Sequence, residues 1–166
     1  MATPSRDKHA PAAMSLGPAS LDPLRLAEHV HGHLGWLAAA LLLHPAIVLR
    51  NRKRRAHLAV ALATAFVTLG AAGGAWLYVA YREQLKQQIF IHAPAIGYLF
   101  ERKEHLAFGA VVLAWAGCAA YFAAPRATPD VRETLRTIAF RAFVASAALA
   151  IVVAVLGTVV AVYKSF

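Results

Sequence analysis

Eight histidines are spread over 166 residues, and four of them fall in one apolar stretch, Glu28 to Arg50 (EHVHGHLGWLAAALLLHPAIVLR). An imidazole in such a setting can hydrogen-bond, titrate near neutral pH or give a lone pair to a metal. Spacing narrows the choice. His33 and His44 are eleven positions apart, and a helix turning ~100° per residue comes within about 20° of three full turns between them. Both rings therefore leave one face, about 16 Å apart along the axis. Imidazoles at two depths on one helix suit two iron porphyrins, one near each surface of a bilayer, if neighbouring helices supply the opposing ligands.

The stretch is long enough for that. Val30 to Leu49 has no formal charge, and at ~1.5 Å per residue it covers the ~30 Å hydrocarbon core of a membrane. Further apolar runs place spans at about 28–50, 57–81, 104–124 and 137–163. With 60% apolar residues and a positive mean hydropathy, the chain reads as an all-α, four-helix transmembrane bundle over residues 24–166. Its expected course is antiparallel, up and down. Residues 1–23 mix Pro, Ala, Ser and charge, the composition of a mobile tail, and hold no apolar stretch of the signal-peptide kind. Ser20 or Asp22 is the expected cap of the first helix.

The single cysteine excludes an intrachain disulfide and any cysteine cage, and Cys118 reads as a buried, inert thiol. The net charge of +9 gathers in short loops rather than along a nucleic-acid-binding face. Five of the six residues Arg50 to Arg55 are basic, and Arg126, Arg132 and Arg136 surround the third turn. Basic short loops face the cytoplasm, so both termini and the long connection are expected on the periplasmic or outer side, as in a bacterial inner-membrane protein. That connection, about 83–103, is amphipathic and carries Phe90, Tyr98 and Phe100, which points to a short interfacial helix or a re-entrant lid. In the second span Gly70 and Gly74 form a small-xxx-small face, able to admit another backbone or a flat cofactor.

This topology sorts the histidines. Near the outer surface His33 is expected to pair with His105, with His29, one turn away on the same face, and His92 as substitutes. His31 points roughly 160–200° away and reads as interfacial. Near the inner surface the expected pair is His44 with His57, beside Pro45, which can bend the helix end. Arg141, an intramembrane charge, would meet a haem propionate, with Arg136 assisting. A metal site without porphyrin is the competing chemistry. Glu28 and His31 have the Glu-x-x-His spacing of carboxylate-bridged bundles, with Glu101, Glu104 and His105 on the same surface. A quinone could be roofed by His92, Tyr98 and Glu101.

On its four spans and on His33, His44, His57 and His105, the chain resembles compact four-helix, di-haem b-type membrane cytochromes over about Arg25 to Phe166. The resemblance is one of architecture. It implies one or two haems b held by paired histidines, relaying electrons between a quinol pool and a redox partner or larger respiratory complex. Such a protein is an electron carrier rather than a stand-alone enzyme, because the cofactor does the chemistry. In many such cytochromes two helices each carry two histidines, whereas here only the first does. The alternatives are an accessory or scaffold subunit without catalysis, and a membrane metal-binding protein that uses the outer His/Glu cluster.

Overall fold

The computed structural model describes residues 23–51 and 54–163, which are helical apart from short turns and contain no strand. In chain order they form α1 (Pro23–Val48), α2 (His57–Gln84), α3 (Lys86–His92), α4 (Pro94–Ala123) and α5 (Pro129–Tyr163), with a 3-10 turn at Ala124–Arg126. The four long helices are long and apolar enough to cross a membrane, as expected of a multi-pass membrane protein. The tail read over 1–23 lies outside the described residues except for Pro23, and so do Ser20 and Asp22.

Proline opens α4 and α5. Its fixed φ suits a first helical turn, and the N–H it lacks would have had no intrahelical partner there. These starts lie well before the apolar runs. The third span was expected from residue 104 and the fourth from 137, but the helices begin at Pro94 and Pro129. The charged residues in between, such as Glu101 to Glu104 and Glu133 to Arg136, end an apolar run without ending a helix, because Glu, Lys and Arg are strong helix formers.

Most of the long connection is therefore helix, and α3 is its short separate piece. It folds onto α4 through Phe90. A Cβ on Gly97 would stand 2.8–3.0 Å from that ring, so only glycine permits the approach. Phe90 also meets Tyr98 edge-on at 5.3 Å. The Lys86 ammonium reaches the Glu101 carboxylate at 2.7 Å, and the hydrogen bond to Glu101 holds its proton above the ordinary lysine range.

α1 packs between α2 and α5, and α4 also lies between α2 and α5, so α1 and α4 stand across the bundle from each other. The main core is made largely of alanine, with Leu42, Leu49, Val60, Val67, Tyr121 and Phe143 as its larger members. Small side chains let helices approach closely, which matters in lipid, where dispersion contacts hold helices together. Polar contacts to backbone atoms help tie this half. The Ser146 hydroxyl donates to the Ala110 carbonyl at 2.7 Å. The Ala56 N–H, otherwise without a bond at the start of α2, donates to the Tyr121 hydroxyl at 2.6 Å. Tyr121→Phe is expected to cost about 1 kcal/mol, seen as a lower unfolding midpoint in detergent; an unchanged midpoint would show that the bond adds nothing.

A second, smaller cluster joins Tyr81, Phe100 and Val160 at the other end. The Tyr81 and Phe100 rings stack 3.8 Å apart. Tyr81 and Tyr121 are thus buried, whereas Trp36, Trp76 and Tyr163 are exposed.

Candidate functional site

His33 and His44 share a face of α1, as their spacing requires, but it is the outer face. Both are exposed, as is His29, while Ala38, Ala39, Leu42, Pro45 and Ala46 are the buried residues of this helix. The reason is close packing: the bundle buries the alanine-rich stripe, which lets α2 and α5 approach, and turns the histidine stripe away. His105 is exposed on α4, and α4 is not a neighbour of α1. His57 is exposed at the start of α2, with its ring 5.3 Å from Tyr121 and 5.8 Å from Phe122. Arg141 is exposed, Arg136 half-buried, and His92 exposed at the end of α3. Neither expected pair, His33 with His105 or His44 with His57, closes on a slot inside the bundle. The main neighbours of α1 are α2 and α5. Among the described residues no group of three or more His, Cys, Asp or Glu is placed to hold a metal, so the Glu28/His31 and Glu101/Glu104/His105 alternative is not assembled either.

The imidazole that turns toward a neighbour is His31, which was expected at the interface. Its ring lies in a notch on α2. A Cβ on Gly74 would sit 2.9 Å from Cε1 and 3.3 Å from Nε2, and one on Gly73 would be 3.7 Å from Nδ1. His31 Nδ1 is shut off from solvent. The signal was in the sequence: His31 lies opposite His33, on the side of the apolar stripe, and the second span carries the glycine pair that makes room for it. One of the two glycines of the small-xxx-small face thus receives an imidazole.

The other, Gly70, is buried, yet a Cβ built on it meets no atom within 4 Å. Gly35 on α1 likewise faces open space. This opening falls where burial breaks off on all four long helices. Described residues of α1 before Ala38 are not buried; α2 has no buried residue between Gly70 and Tyr81, and α5 none between Ala150 and Val160. On α4 Lys103 is the last buried residue before Ala110. In the layer between the two clusters fully buried side chains are therefore sparse, and the seams are held by single contacts such as that from Trp36 Nε1 to Thr158 Oγ1 at 3.4 Å.

Lys103 borders this layer and is 8% exposed. Its Nζ pairs with Glu104 Oε1 at 2.8 Å and lies 4.7 Å from the centre of the Phe100 ring. Its Cδ is 3.8 Å from where a Cβ on Gly157 of α5 would stand. Burying an ammonium is costly unless a carboxylate or ring face compensates, and here both do. Beyond it, Glu101 accepts from Tyr78 at 3.5 Å and from Lys86. One end of the bundle thus holds an aromatic and ion-paired cap, and the glycines of α2, Gly70, Gly73 and Gly74, lie in the layer beneath it. Comparison with family models, curated proteins and solved structures finds no match to this chain.

Proposed function

We propose that the chain is a membrane electron-transfer protein that carries haem b in the layer between its two core clusters. The observation that carries this reading is Gly70, a buried position with empty space where a side chain would go. Three features suit a porphyrin there. Gly35 and Gly70 leave room for a flat ring; His31 brings an imidazole to the α1–α2 seam; Lys103 offers a buried cation to a propionate. His31, whose ring is seated on Gly73 and Gly74, would hold the haem iron, and the haem would supply one-electron oxidation and reduction. The chain's own contribution is to hold the ring and exclude water from it. His33, His44, His57, His105 and Arg141 are exposed, and in this reading none of them holds the haem.

The proposal includes the four spans running up and down, with both termini and α3 on the outer side. Dense basic charge in the 50–55 turn supports that orientation in a bacterial inner membrane. The exchange partners of such a carrier are a quinol and a redox protein, or a larger respiratory complex. Haem retention separates this reading from the one based on exposed pairs. In the full chain purified from membranes, His31→Ala is expected to lose most of the haem, and His33→Ala or His105→Ala little. The opposite order would return the ligand role to His33 and His105, and haem-free wild-type protein would leave an accessory subunit.

A further inference from the structure

The outer face of α1 carries a second arrangement, independent of the glycine-lined layer. His29 and His33 are one turn apart, and their rings are fixed alike. His29 Nδ1 lies 2.7 Å from the Arg25 carbonyl oxygen, and His33 Nδ1 lies 2.7 Å from the carbonyl oxygen of His29 itself. A carbonyl only accepts, so each Nδ1 is the donor and each neutral ring keeps its lone pair on Nε2. Both side chains are exposed. They line one open, apolar groove of about 380 Å³ together with Val30, Leu34 and Leu37.

We infer that His29 and His33 form a two-imidazole site for a borderline divalent transition cation, of which Zn²⁺ is the reference. Two histidines at i and i+4 on one helical face are spaced to share a metal, as in helical zinc motifs. Metal-bound histidines typically donate their second ring nitrogen to a carbonyl or carboxylate, which fixes the tautomer and the direction of the free nitrogen. Both rings already do so. Imidazole suits Zn²⁺, Cu²⁺ and Ni²⁺ in preference to Mg²⁺ or Ca²⁺, which take oxygen ligands. Among the described residues no third histidine, cysteine or carboxylate completes a cage. The remaining positions therefore belong to water or to a ligand entering from the groove.

The test uses the full chain in lipid nanodiscs. Zn²⁺ is titrated calorimetrically, and the Cu²⁺ complex is examined by electron paramagnetic resonance to count bound nitrogens. Wild-type protein is expected to show two imidazole nitrogens on Cu²⁺. His29→Ala and His33→Ala should each weaken Zn²⁺ binding by roughly tenfold or more and leave one nitrogen. His44→Ala, three turns on along the same face, should change neither readout. One nitrogen in the wild type, or equal losses from His44→Ala and His29→Ala, would overturn the site. Circular dichroism of each variant checks that the helices persist, and haem content is read separately, so failure here leaves the glycine-lined layer untouched.

Discussion

Gly70→Leu is expected to leave the bundle folded and to strip it of haem. A Cβ at this position meets no atom within 4 Å, so the new side chain enters open space rather than a neighbour. Leucine is also a better helix former than glycine by about 0.8 kcal/mol, and the unfolding midpoint in detergent should hold or rise. The isobutyl group then occupies the volume assigned to the porphyrin. Haem bound per chain should fall roughly tenfold or more, the equivalent of about 1.4 kcal/mol or more of binding free energy. The pairing of the two results is what matters. A more stable variant with unchanged haem content would move the cofactor elsewhere.

Gly117→Leu should do the reverse. Its Cβ would stand 3.0 Å from Cδ2 and Cε2 of Phe143 and 3.2 Å from the Ala142 Cβ. Phe143 is fully buried in the main core and has no free volume to move into. Overpacking of this kind costs about 3 kcal/mol, a large share of a typical domain's stability. Phe143→Ala alone should cost about 3–5 kcal/mol through the cavity it leaves. Because the two residues touch, their effects should not add: Gly117→Leu combined with Phe143→Ala is expected to be more stable than the sum implies. Denaturant titration in detergent micelles measures all three. Additive losses would mean that α4 and α5 do not meet at this pair.

These two glycines mark what a linear sequence reveals and what it withholds. Four apolar runs long enough to span a bilayer are legible because length and composition alone decide them. The short helix between the second and third spans is legible as well, from its amphipathic, aromatic content. Which face of α1 turns inward is harder. Its histidines repeat in register, and so do Ala38, Leu42 and Pro45 on the opposite side; periodicity gives both stripes and does not rank them. In lipid the stripe of small residues wins, because it allows backbones to approach. The same rule places His31 inside and His33 outside. Helices also run past the apolar runs: hydropathy finds the end of such a run, whereas α4 and α5 begin earlier, at Pro94 and Pro129. The free space beside Gly70 had no signal of its own, since glycine fits a tight contact and an open space equally well. Only the neighbours decide, and they come from other helices.

The absorption spectrum of the full chain, purified in mild detergent from haem-replete cells, tests the central claim most directly. In the oxidised protein and after dithionite we predict a Soret band and a reduced α-band of the b type, both lost in Gly70→Leu. A wild-type protein that is fully helical by circular dichroism yet colourless, before and after added haem, would contradict the claim.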